Sequence, residues 1–138
     1  MEVCTDSVML VDDNEIDIFI TKRLLEFNNF SKNISAACSG RDALEQLKNH
    51  QNLPDVIFLD LNMPVIDGFR FLNELSKLPN TVKGNIQVVV LSSSENQRDI
   101  KRATKNPVVV EYVSKPLTHE KIRDLRNLLA SNSLNNLP

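Results

Sequence analysis

The chain has 138 residues, 41% of them hydrophobic and 25% charged, which fits one domain and leaves no room for a second of ordinary size. Lys and Arg number 16 against 18 Asp and Glu, a net charge of -2, so a nucleic-acid binder held by bulk positive charge is excluded. No apolar run approaches the roughly 20 residues that cross a bilayer, and Met1 to Asp6 lacks the basic and apolar regions of a signal peptide. The expectation is a single cytoplasmic domain over 1-138, with no membrane contact, two buried or half-buried free thiols at Cys4 and Cys38, and a Ser/Asn-rich tail over 131-138 that frays.

Short apolar runs alternate with amphipathic segments. Val8 to Val11 is the first run, after which Ile16, Phe19, Ile20, Leu24 and Phe27 recur at the spacing of a helix face. Ile34 to Cys38 is a weak second run, followed by a Ser39-Gly40 turn and a helix carrying Ala43, Leu44 and Leu47. Val56 to Leu59 is the third run, and beyond Pro64 and Gly68 comes a helix with Phe69, Leu72 and Leu75 inward. Residues 77-85 make a connection longer than a minimal one, with no function assigned. Ile86 and Val88 to Leu91 form the fourth run, then a polar, basic segment from Glu95 to Lys105, then a fifth run at Val108 to Val113. Ile122, Leu125 and Leu129 mark a final helix. The runs at Val8, Val56 and Val88 do not alternate in and out, as strands buried on both faces do not. Strand and helix in alternation give a parallel α/β sheet with right-handed crossovers.

Such a sheet works at the carboxyl ends of its strands. Asp12 and Asp13 follow the first run, Asp60 ends the third, Ser92 ends the fourth, and Lys115-Pro116 follows the fifth. Any one of these acids alone reads as a helix cap, and Asp13 or Asn14 is expected to cap the first helix. Together they read differently. Two carboxylates ~4 Å apart repel by about 4 kcal/mol at an effective dielectric near 20, so three in one pocket call for a cation or for bound protons. An oxygen-only donor set without His or Cys suits a hard ion such as Mg²⁺. Three carboxylates against Mg²⁺ and one lysine sum to zero charge, a site able to accept a phosphoryl group.

The stretches Leu10-Val11-Asp12-Asp13, Leu59 to Pro64 with Asp67-Gly68, Val90 to Ser93, and Tyr112 to Pro116 resemble the receiver domains of two-component response regulators, and the likeness runs from about Val8 to Leu129. The resemblance implies a flavodoxin-like, doubly wound five-stranded parallel sheet of order 2-1-3-4-5 with helices on both faces. It implies that Asp60 accepts the phosphoryl group from a histidine kinase or phosphotransfer protein, in a phosphorelay rather than as a turnover enzyme. Mg²⁺ is then held by Asp12, Asp13, Asp60 and the Asn62 backbone carbonyl. Lys115 and Ser92 contact the phosphoryl oxygens, Ser92 and Tyr112 act as the switch pair, and the peptide before Pro116 is of a kind often cis in this family. A downstream protein is expected on the face around 95-113, whose polar helix is weakly anchored.

Ser92 stands where the family more often has Thr, and Asn62 and Ser94 occupy positions that influence acyl-phosphate lifetime in the family. Pro64 and Asp67-Gly68 read more simply as a turn and helix start. A haloacid dehalogenase-type phosphatase is the competing enzyme reading, but its acid/base Asp position holds Asn62. A degenerate receiver used only for binding is another. A flavin or nucleotide module is a third, against which only three glycines occur and no phosphate-cradling loop.

Overall fold

The computed structural model describes residues 3-49, 53-61, 63, 65-93 and 95-135, the side chains of 65-67 and 132-135 excepted. Asn62, Pro64 and Ser94, singled out above, lie outside the described residues, as does the Asp67 side chain.

The elements run β1 (Thr5–Val11), α1 (Glu15–Phe27), β2 (Ser31–Ala37), α2 (Gly40–Lys48), β3 (Val56–Asp60), α3 (Val65–Ser76), α4 (Asn80–Lys83), β4 (Gln87–Ser92), α5 (Gln97–Thr104), β5 (Val109–Ser114) and α6 (His119–Asn135). All four strand pairings are parallel, and the order is β2-β1-β3-β4-β5. Every residue of β3 is buried, as its unbroken apolar run demands. Successive side chains of the central strands enter opposite cores. Met9, Val11, Ile57, Leu59, Val88 and Val90 pack with residues of α2 to α5 such as Leu47, Phe71, Leu75 and Ala103. Val8, Leu10, Val56, Phe58, Val89 and Leu91 pack with Leu25 of α1 and Ile122, Leu125 and Leu129 of α6. The result is a three-layer sandwich with its strand ends open along one edge. Among the described residues no helix is long and apolar enough to cross a membrane; Cys4 and Cys38 are both free, Cys4 half-buried as expected but Cys38 exposed, since it lies just past the end of edge strand β2.

Of the apolar stripe of α1 all but Leu24 face outward: Ile16 is 69% exposed, Phe19 64%, Ile20 51% and Phe27 81%. The inward side is instead made by Leu25, with Ile18 and Leu24 packed against the same core. Both sets recur at helical spacing, so α1 is apolar on two sides and periodicity alone could not choose between them. Helix α6 runs on through 131-135 of the Ser/Asn-rich segment, to Asn135. Neither Gly nor Pro interrupts those residues, and a helix already nucleated adds one bond per residue. Within 77-85 lies the extra helix α4, which sinks Val82 into the core. It closes at Gly84, where any β-carbon would stand 2.6 Å from the Asn80 carbonyl oxygen.

Candidate functional site

Register brings the acids together. Val11 lies opposite Leu59, so the next residue of each strand, Asp12 and Asp60, arrives at the same level of the sheet edge. Asp60 in turn pairs with Leu91, and Ser92 with Ser114, which sets Lys115 beside the end of β4. The Lys115 backbone N–H donates to the Ser92 carbonyl at 2.9 Å, and the Lys115–Pro116 peptide is cis. Carboxylate oxygens of Asp12, Asp13 and Asp60 all lie within 4.8 Å of one another. Asp12 and Asp60 are buried and Asp13 is exposed, so the group opens to solvent on one side.

Lys115 reaches into this group. Its Nζ stands 3.1 Å from Asp60 Oδ2 and 3.7 Å from Asp12 Oδ2. It also donates to Asp17 Oδ2 at 3.2 Å, across 98 residues of sequence. Asp17 escaped the sequence reading because an acid in the first turn of a helix has an ordinary explanation in the helix dipole. Its placement follows from the α1 cap: Asn14 Oδ1 accepts from the backbone N–H groups of Ile16 and Asp17, while Asp12 Oδ1 accepts from that of Asn14. Asn14 is therefore the residue that caps α1.

Ser92 is fully buried at the end of β4. Tyr112 lies half-buried on β5, packed on the core shared by α2 to α5 and opposite Val90. The polar helix α5 buries only Ala103, as its composition implies, and Arg102 adds a second anchor by lying 4.0 Å above the Phe69 ring.

Burial, chiefly, lifts the Asp12 carboxyl from 3.8 to about 6; the Asn14 N–H opposes this, and the charge of Asp60 adds to it. Burial alone would lower the Lys115 ammonium, but its hydrogen bond to Asp60 and the charges of Asp60 and Asp12 outweigh that and raise it. The acids thus sit together at a cost, partly met by one lysine, as expected of a set built to hold a hard cation.

That cost should be measurable. Between pH 3.8 and about 6 the folded protein keeps a proton on Asp12 that the unfolded chain has released. Stability contributed by this group therefore falls as pH rises through that window and is flat above it. In chelator, Asp12→Asn should be more stable than wild type at pH 7 by on the order of 1–2 kcal/mol, solvent screening allowed for. Denaturant unfolding of both proteins from pH 4 to 8 gives the difference curve, and equal stabilities across that range would refute the strained carboxylate.

A family profile described as the response regulator receiver domain matches residues 8–127. A probable methanogenesis regulatory protein, FilR2, of Methanothrix harundinacea is 32% identical over 120 residues, covering 84% of this chain and 76% of that protein. The sensor histidine kinase CheAY of Helicobacter pylori is 31% identical over 113 residues, 82% of this chain but only 13% of the kinase. Among solved structures, a two-component response regulator from Cytophaga hutchinsonii superposes with a TM-score of 0.80 at 31% identity, over 91% of this chain and 97% of that one. A response regulator receiver protein from Dyadobacter fermentans gives a TM-score of 0.79 at 30% identity, over 90% and 97%. With the profile spanning nearly the whole chain and the acids and lysine gathered at the strand ends, the chain belongs to the receiver domains of two-component response regulators, signalling modules of phosphorelays.

Proposed function

We propose that the chain works as one receiver unit, a Mg²⁺-dependent switch in which Asp60 accepts a phosphoryl group from the phosphohistidine of a kinase or phosphotransfer protein. The observation that carries this reading is the buried Asp60 carboxylate, held 3.1 Å from Lys115 and grouped with two further acids at an open strand edge. An Asp60 oxygen attacks phosphorus as the P–N bond breaks, and the departing imidazole nitrogen takes up a proton. The transition state is loose, so positioning and charge compensation supply most of the rate. Lys115 faces the developing charge on the equatorial oxygens, and Ser92 offers its hydroxyl to one of them.

Asp12, Asp13 and Asp60 suit a hard divalent ion by donor type and grouping, and the Asn62 carbonyl would complete the set. Held by these residues, Mg²⁺ would supply two positive charges to offset those of the acids and of an incoming phosphoryl group. The donor protein is read as docking on the bare apolar stripe of α1, because Ile20 and Lys115 line one groove of about 350 Å³. The readout runs through Ser92 and Tyr112 to the α5–β5 face, where a downstream protein binds. Membership of the family does not favour the phosphatase and flavin readings, and the intact set of acids with Lys115 speaks against a binding-only receiver.

Incubation with acetyl phosphate and Mg²⁺, followed by intact-mass measurement, tests the assignment. Wild type should gain one phosphoryl group, about 80 Da of added mass in an acyl phosphate, and Asp60→Asn or wild type in EDTA should gain none. NMR of the same sample should show the Tyr112 ring signals shifted. A gain that survives Asp60→Asn moves the acceptor elsewhere, and unmoved Tyr112 signals remove it from the switch.

A further inference from the structure

The charge count at the strand edge changes once Asp17 is included. Three carboxylates, one lysine and a divalent ion balance; a fourth carboxylate on the same ammonium leaves the loaded site with one negative charge in excess. Asp17 is no metal-ligand candidate by grouping, since the mutually close acids are Asp12, Asp13 and Asp60. It meets the site through Lys115 alone among the contacts described, on the side where the groove opens between α1 and the Lys115–Leu117 segment. Two oxygens that share one Nζ at 3.1 and 3.2 Å lie no farther apart than about 6 Å, so Asp17 is within strong electrostatic reach of whatever Asp60 carries.

Lys115 does not need Asp17 to find its place. Asp60 and Asp12 also hold its ammonium, and its backbone is tied to Ser92. What Asp17 adds is negative charge and a competing acceptor. Both act against a free, dianionic phosphodonor arriving from solvent. A protein donor is affected less, because contacts away from the phosphoryl group supply its affinity.

Resting on the phosphoacceptor reading above, we infer that Asp17 is a specificity-determining residue that restrains Lys115 and selects against small free phosphodonors. It is a positioning residue rather than a catalytic one, since it acts through Lys115.

The test compares wild type, Asp17→Asn and Asp17→Glu in Mg²⁺, using intact mass against time to obtain the second-order rate constant for two donors. Acetyl phosphate is a dianion near pH 7.5, and phosphoramidate carries one negative charge less. Asp17→Asn should react with acetyl phosphate roughly three- to tenfold faster at low salt, a gap that closes in concentrated salt. Phosphoramidate should gain less, and Asp17→Glu, which keeps the charge, should stay close to wild type. An Asp17→Asn rate constant equal to or below that of wild type at low salt, or a rise that salt leaves intact, overturns the inference while leaving Asp60 as acceptor. Should wild type take no phosphoryl group from either donor, the phosphoacceptor reading fails and this inference falls with it.

Discussion

Lys115→Met should slow phosphorylation of Asp60 from a small donor by about 100- to 1000-fold, the usual cost of deleting one preorganised charged donor at a transition state. Methionine keeps most of the stem volume, so the loss reports charge rather than packing. Three ion pairs converge on the Lys115 ammonium, to Asp12, Asp17 and Asp60, so the substitution also strips these acids of a shared counter-charge. Because those partners raise the Lys115 pKa, its contribution is complete below the ordinary lysine pKa and fades only as pH climbs through the higher folded value. Metal-free Lys115→Met should therefore be less stable than wild type by about 1–3 kcal/mol throughout pH 6–9, since the group is not fully buried. Saturating Mg²⁺ should recover part of that stability without recovering the rate. Rate constants from mass measurements and chemical denaturation in EDTA and in Mg²⁺ provide the comparison. A variant phosphorylated within threefold of wild type would remove Lys115 from the chemistry.

Double substitution Asp12→Asn and Lys115→Met gives a further handle, because the two groups share Asp60. Neighbours in one ion-pair network do not add, and the departure from additivity measures how far Lys115 stabilises Asp12 in particular.

How much of this was legible before the fold was known depends on where each residue sits. Val56 to Leu59 and Val88 to Leu91 declared themselves as buried strands, since a continuous β-branched and apolar run has few other uses at that length. With parallel strands in hand, the residues just beyond them become the candidate site, which is how Asp12, Asp60, Ser92 and Lys115 were found. Edge strand β2 was harder, because Ser31 to Ala37 has one covered neighbour only and carries Lys32, Asn33 and Ser35. Helix α4 left no periodic trace, having four residues and a single buried one. Asp17 was invisible for a different reason: its partner is 98 residues away, and only the register of β1, β3, β4 and β5 brings the two into reach. The facing of α1 could not be read at all. Ile18 and Leu25 make one apolar line and Ile16, Ile20 and Phe27 another, and local spacing is the same for a buried stripe as for one awaiting a partner.

That exposed stripe leads to the second large effect. Phe19→Glu with Ile20→Glu should reduce phosphoryl transfer from a protein donor by at least about 100-fold while leaving the rate with acetyl phosphate in concentrated salt, where the added charge is screened, within twofold of wild type. Each of these side chains stands mostly in water, and burying a large apolar side chain is worth about 1.5–3 kcal/mol, so losing two and adding two charges to a dry interface exceeds the 2.7 kcal/mol of a 100-fold change. Folding should be little affected, because surface substitutions away from special features stay within about 0.5 kcal/mol. The geometry favours a donor here over another occupant: a hollow of about 710 Å³ lined by Phe19, Ile20, Leu24, Phe27 and His119 adjoins, through Ile20, the groove that reaches Lys115. A helix laid in the hollow would end beside the groove that Lys115 lines, whereas α5 packs on the opposite face of the sheet from α1. The comparison uses an ATP-loaded kinase core chosen as the one that phosphorylates wild type fastest in a panel, followed by transfer time courses for both proteins. Transfer within threefold of wild type would show that the donor docks elsewhere. A wild type that sediments as a dimer, with the double variant monomeric and transfer unchanged, would assign the stripe to a second copy of the chain.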